Sequence, residues 1–420
     1  MSLTWIVGGI FLLIYALIVT EKTHRTIAAL LGGLAMILLG VFDQQEAFQA
    51  VDWNVIFLLA GMMSIANVLR ETGLFQWLAV RAVRLGGGYP FRTLVILAVI
   101  TAVGSALLDN VTVVVLVVPI TLFVASSLQI SPIPFLIAEI LASNVGGAST
   151  LIGDPPNVLI ASAAGIDFVS FAANMAPLSV LILVLFLFAC RFMFGREIQA
   201  GARRPFDLES LRASQLIADP TLLFKSLVVL AGVLVAFLLH GVLHLQPATI
   251  ALTGAAVLML WGRQNPDEVL QDVEWSTLFF FIGLFILVEA VVKVGLIQGV
   301  ANSLVALTGG NLPMTTMLIL WVSAVASGVV DNIPYTAAMI PIIESLAHSM
   351  PVGPLWWALA AGADFGGNAT LVGASANVVV ASLAVRSGHP LSFRRFLVYG
   401  LITTAIALVV STLYIWLRYL

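Results

Sequence analysis

Charge is what this sequence has least of. Only 9% of its 420 residues are Asp, Glu, Lys or Arg, against the ~25% usual in soluble domains, which excludes an ordinary water-soluble fold. A single cysteine, Cys190, leaves neither a disulfide framework nor a thiolate metal cluster. It sits in an apolar run and reads as a small core residue. The five histidines (His24, His240, His244, His348 and His389) fall near segment ends, so no metal site is expected. The sequence has no HExxH, no Ser–His pairing and no GxGD, which argues against an embedded hydrolase. It has no ATP-binding loop either, so energy from nucleotide would need a separate ATPase subunit. The basic residues form no nucleic-acid-binding patch. Residues 3–20 are apolar without a basic leader or a small-residue cleavage site, and read as a first spanning helix rather than a signal peptide.

What is present is hydrocarbon. The chain is 61% hydrophobic with a mean hydropathy of +1.10, and runs near the ~20 residues that span a bilayer recur throughout. Spanning segments are expected near 3–20, 26–42, 54–69 and 174–193, with an amphipathic interfacial stretch at 71–85. Between them lie two interrupted segments. Residues 92–128 carry Asp109 and Asn110 at the centre of an apolar run, as a re-entrant hairpin would. Residues 133–166 are broken by ASNVGGASTLIGDPPN, whose glycines and prolines cannot continue a lipid-facing helix.

The second half repeats the first. VDWNVIFLLAGMM at 51–63 returns as VEWSTLFFFIGLF at 273–285, and Asp109-Asn110 as Asp331-Asn332, at an offset of 222. NVGGASTLIGDPPN at 144–157 returns as DFGGNATLVGASAN at 364–377, with six of fourteen positions identical, an offset now of 220. The expected fold is an all-α polytopic membrane protein of two repeats, residues 1–195 and 222–420. Each has five crossings, a re-entrant hairpin (about 92–128 and 311–349) and a broken helix (about 133–166 and 354–386). A polar linker, 196–221, joins them. Five crossings is an odd number, so the repeats must be inverted. Alternate loops then place sixteen of the 18 basic residues on one side and only Lys293 and Arg418 on the other. By the positive-inside rule the linker is cytoplasmic and both termini are external.

An acid within a membrane segment is a functional-site hypothesis by default, and two at matching tips point to a transport site between repeats. Asp109 and Asp331 are therefore the expected proton carriers. The expected substrate shell is Asn110, Asn144, Gly147, Ser149, Thr150, Asp154 and Asn157 from the first half. Asn332, Asn368, Thr370, Ser375 and Asn377 complete it from the second. These supply neutral hydrogen bonds, close backbone approach and half-helix N-termini. Glu139 and Asp364 are also embedded, and the sequence leaves open a cavity role or a satisfied structural contact. No Lys or Arg is expected deep in the membrane. A lining of acids and amides suits a proton-linked solute that is not strongly anionic, and calls for no cofactor beyond protons or sodium.

LLDNVTVVVLVVPITL, GGASTLIGDPPNVLIASAAG, VVDNIPYTAAMIPI and GGNATLVGASANVVVAS resemble the arsenite-permease and P-protein group of the ion transporter superfamily. That superfamily also holds sodium/proton antiporters and sodium-coupled di- and tricarboxylate carriers. The resemblance implies an elevator-like inverted-repeat transporter, often a homodimer. Where the carboxylate carriers have Ser-Asn-Thr tips, this chain has Asp109-Asn110-Val111 and Asp331-Asn332-Ile333, with Asp154 in place of a Thr. Those departures fit the arsenite-permease branch, whose substrate is a neutral triol. They imply proton-coupled export of arsenite and antimonite across a bacterial plasma membrane, with sodium/proton antiport or carboxylate symport as alternatives.

Overall fold

The computed structural model describes residues 3–20, 22–87, 89–127, 130–201 and 217–420, and among these every regular element is an α-helix. The first ten helices are α1 (Leu3–Thr20), α2 (Arg25–Leu38), α3 (Gln44–Gln49), α4 (Trp53–Glu71) and α5 (Leu74–Leu85). They continue as α6 (Pro90–Leu107), α7 (Asn110–Ser127), α8 (Ile133–Gly147), α9 (Pro155–Ala164) and α10 (Phe168–Gly201). The next ten repeat that order. They open with α11 (Pro220–Leu243), α12 (Pro247–Gly262), α13 (Pro266–Gln271), α14 (Trp275–Lys293) and α15 (Leu296–Thr308). They close with α16 (Leu312–Val329), α17 (Asn332–Leu346), α18 (Gly353–Gly366), α19 (Ser375–Arg386) and α20 (Phe393–Tyr419). Eight of these helices are long and apolar enough to cross a membrane.

Proline and the short capping side chains set the boundaries. Pro90, Pro134, Pro155, Pro220, Pro247 and Pro354 sit in first turns, where a missing N–H costs nothing. Asp52, Asp219 and Asn311 accept first-turn N–H groups. Both expected hairpins are present, α6–α7 and α16–α17, and both breaks are present, between α8 and α9 and between α18 and α19. The short α3 and α13 match no element expected from the sequence, and α10 extends well beyond the expected 174–193. Of the expected linker 196–221, residues 202–216 lie outside the described residues.

The packing has the same internal symmetry as the sequence. Helix α4 packs on α12 and its repeat partner α14 on α2, while α6 packs on α8 and α16 on α18. Gly61 and Gly283 make the first two contacts close. A Cβ on Gly61 would lie 2.7 Å from the Ala251 carbonyl carbon, and one on Gly283 would lie 2.5 Å from that of Ala29. Helix axes approach this closely only over small residues. These contacts join α2, α4, α12 and α14 across the halves. The hairpins and breaks meet across the halves too, α7 against α19 and α17 against α9.

Candidate functional site

Each hairpin tip is fastened to the break of its own half by the same contacts. The Asn110 backbone N–H donates to the Gly153 carbonyl at 3.1 Å, and that of Asn332 to Gly373 at 3.2 Å. The Thr150 hydroxyl donates to Ala106 O at 2.6 Å and the Thr370 hydroxyl to Gly328 O at 2.7 Å. Within each break the asparagine that begins the second half-helix closes the loop. Asn157 Nδ2 donates to the carbonyls of Gly147 and Thr150 at 3.2 and 3.1 Å. Asn377 Nδ2 donates to those of Gly367 and Thr370 at 2.8 and 2.9 Å. The loop can fold this tightly because a Cβ on Gly147 would stand 2.7 Å from Gly153 O. Ser149 turns back to the Gly146 carbonyl at 2.5 Å. Thr150, Thr370 and Ser149 thus hold backbone in place.

The two tips meet on Asp154. Its Oδ2 accepts from Asn110 Nδ2 at 2.7 Å and from Asn332 Nδ2 at 3.3 Å, one donor from each half. Asp154 is 2% exposed and makes no side-chain cap to its own helix α9, so its carboxylate is turned toward the tips. Alongside, Asn144 Nδ2 donates to Asn368 Oδ1 and to Asn377 Oδ1, both at 2.9 Å. The breaks are therefore joined across the pseudo-twofold by amides. Hydrogen bonds to a charged group are worth ~1.5–3 kcal/mol each, and removing such a donor where no water can replace it costs at least that.

Asp109 and Asp331 flank this centre. Asp109 caps α7, accepting from the Thr112 N–H at 2.8 Å and the Thr112 hydroxyl at 2.5 Å. Asp331 caps α17 through Ile333 N at 3.0 Å and accepts from Ser375 Oγ at 2.5 Å. Both lie within electrostatic reach of Asp154.

Arg25, the first residue of α2, also reaches the site: its Nη1 lies 3.3 Å from Asp331 Oδ2 and 2.6 Å from Ser375 Oγ. Its guanidinium stands 5.4 Å from the centre of the Phe280 ring. An 18-residue helix such as α16 is ~27 Å long. The Asp331 tip that it leads to lies at the start of α2.

A cavity of about 350 Å³ opens at that place, lined by Ile18, Arg25, Phe280, Asp331, Ser375 and Val378. A second, of about 390 Å³, is lined at the repeat-related positions by His240, Pro247, Leu58 and Val158. The two are not equivalent. Val378 is 37% exposed whereas its partner Val158 is 2% exposed. Helix α9 also packs on α4, where the Ser162 hydroxyl donates to Asp52. The cavity beside Arg25 ends on Asp331 and Ser375, next to Asn332 and Asn377 of the central cluster.

Three polar groups were not assigned from sequence. Arg25 was legible only as a flanking charge, and Ser105 and Ser143, whose hydroxyls share a 2.9 Å bond between α6 and α8, are indistinguishable from packing serines. Among the described residues no cluster of three or more His, Cys, Asp or Glu side chains could hold a metal ion.

Residues 15–362 match the family described as citrate transporter. The chain is 46% identical over 418 residues to an uncharacterized transporter of Mycobacterium tuberculosis, covering 98% of this chain and 97% of that one. It is 43% identical over 419 residues to a 46 kDa membrane protein of Mycobacterium leprae, covering 98% of each. It is also 35% identical to the human P protein, covering 96% of this chain but only 58% of that longer protein. In three dimensions it resembles the YdaH transporter of Alcanivorax borkumensis with a TM-score of 0.61, at 15% identity, over 98% of this chain and 97% of that one. That likeness concerns the fold alone.

Proposed function

The chain belongs to the citrate transporter family, and from that premise we propose that it is a proton-coupled secondary transporter exporting small hydroxyl-rich solutes, arsenite and antimonite first among them. The observation that carries this reading is the centre: one carboxylate, Asp154, held by Asn110 and Asn332, within a ring of neutral amides. Such a lining offers donors and acceptors to an uncharged triol and repels a multiply charged anion that arrives without cations. The acids beside it, Asp109, Asp331 and Asp154, are the groups through which protons would couple. In this reading the cavity beside Arg25 is the cytoplasmic one. The tips and breaks move as a body against α2, α4, α12 and α14 to expose the centre on each side in turn.

The test is reconstitution of the full chain into liposomes with a pH-sensitive dye. An outward arsenite gradient should drive proton movement, and Asp154→Asn should abolish it. Sodium driving proton movement while arsenite does not would assign the chain to sodium/proton antiport.

A second reading, sodium-coupled carboxylate symport, is favoured by one observation: Arg25 and Ser375 meet in the cavity at 2.6 Å, beside the first turns of α17 and α19. A carboxylate could take the place of Asp331 on that guanidinium. Citrate accumulation driven by sodium in the same liposomes would establish it.

A further inference from the structure

Asp364 is fully buried on α18, and neither of its carboxylate oxygens has a hydrogen-bond donor. Its helix packs on α9, which carries Asn157, the repeat counterpart of Asn377, and Asn157 Oδ1 is also without a donor. Asn157 has both its amide hydrogens committed to the Gly147 and Thr150 carbonyls. Each of the two residues is therefore left with a buried oxygen that no hydrogen reaches. In an apolar interior that arrangement costs several kcal/mol unless something positive enters.

The other half shows what belongs there. Asn144 occupies the repeat position of Asp364, and Asn377 that of Asn157. Asn144 Nδ2 donates to Asn377 Oδ1 at 2.9 Å. Asp364 stands where its repeat partner supplies an N–H, and it has no hydrogen of its own unless it is protonated. We propose that Asp364 is a proton-binding site of the transport cycle. Its carboxyl O–H donates to Asn157 Oδ1 as Asn144 donates to Asn377, and the proton leaves when the movement of the tips and breaks opens this place to water.

The ionisable group that interacts electrostatically with Asp364 is Asp154, which is bonded to Asn110 and Asn332. On the other helices packed against α18, Glu139 accepts from Thr121 through one oxygen and has no donor on the other. Tyr335 bonds Ser323 and Glu344 lies by Glu289. Tyr414 and Tyr419 bond Asn174, and Tyr399 packs on Phe194. Arg191 and Arg418 lie over the Phe91 and Tyr414 rings, and Arg395 pairs with Glu197. Asp364 then adds a proton site to the acids at the centre, while Asp154 stays bonded to the tips.

This proposal rests on the proton-linked reading above but not on its substrate, so the test leaves arsenite out. The full chain in liposomes is titrated with pH while the infrared C=O stretch of protonated carboxyl groups is recorded, without sodium. The expected result is a protonated-carboxyl band at neutral pH that Asp364→Asn removes. Asn157→Ala, which takes away the acceptor, should move the band to higher frequency, and this decides the matter if Asp364→Asn does not fold. A band unchanged in Asp364→Asn, or unmoved in Asn157→Ala, overturns the proposal. So does a band that sodium abolishes, which would make the site one for sodium. If the band belongs to Asp364 yet arsenite moves no protons, the site stands and the substrate assignment falls.

Discussion

Arg25 and Asp331 are 306 positions apart in sequence, yet a guanidinium nitrogen of one lies 3.3 Å from a carboxylate oxygen of the other. The pair joins α2, which packs on α14, to the hairpin tip of α17. At the repeat-related place Arg25 is replaced by Pro247, Thr277 by Val55 and Ser375 by Pro155. No ion pair can form there with Asp109. The latch thus exists for one arrangement of the tips and not for the other.

Breaking that latch should shift the balance between the two arrangements. The side chains are 30% and 18% exposed, so the pair is partly screened and its coupling energy should be about 1 kcal/mol. A double-mutant cycle on Arg25→Gln and Asp331→Asn, read by thermal unfolding in detergent, measures it. A coupling indistinguishable from zero would mean that the contact holds nothing.

The close helix contacts predict a paired result. Gly61→Ala and Gly283→Ala each drive a methyl group into a neighbouring backbone, at 2.7 and 2.5 Å. Each should destabilise the protein by about 1–3 kcal/mol, and by similar amounts because the sites are repeat partners. Gly232→Ala on α11 and Gly299→Ala on α15, with nothing within 4 Å, should instead be neutral or stabilising by up to ~1 kcal/mol. Thermal unfolding of the four variants distinguishes these cases.

The amides on Asp154 should matter for transport beyond their effect on stability. Asn110→Ala and Asn332→Ala each remove one donor from a buried carboxylate, a loss of about 1–3 kcal/mol. Transport should fall by about ten-fold or more in each. Asn144→Ala, which removes two bonds between the breaks at once, should reduce it at least as far. Flux in liposomes normalised to folded protein provides the comparison.

At the exposed end of α14, Lys293 donates to Glu46 at 2.8 Å. That hydrogen bond, together with the N–H of Asp43, holds the Glu46 carboxyl below the usual carboxylate range. A depressed folded-state value contributes stability above the unfolded pKa and loses it as pH falls through the folded value. Glu46→Gln should therefore lower stability near neutral pH and leave it unchanged in acid. Unfolding curves across that range read the difference.

Much of this architecture was legible in the sequence because the bilayer is a strict solvent. A buried acid or a Gly–Pro break in hydrocarbon has few explanations, so the Asp109 and Asp331 tips and both broken helices could be placed to within a few residues. The repeat offset then supplied the pairing of halves. Which polar groups would meet was not legible, because that depends on tertiary closure. Asp154 and the two tip amides came together, whereas Asp109 turned to Thr112 and Asp331 to Arg25. Arg25 was missed for a related reason. A cation at a segment start is ordinarily a solvated anchor, and only tertiary closure brings the Asp331 tip to it. The P-protein part of the sequence resemblance is matched by the 35% identity to the human protein.

Alternating access can be measured directly at the two cavities. In a Cys190→Ser background, which removes the one buried thiol, Val378→Cys and Val158→Cys place single thiols at repeat-related positions. A membrane-impermeant maleimide should label Val378→Cys from one side only while Val158→Cys is protected. A condition that drives transport should move the two reactivities in opposite directions. Simultaneous labelling of both thiols, each from its own side, would mean an open pore and would contradict alternating access.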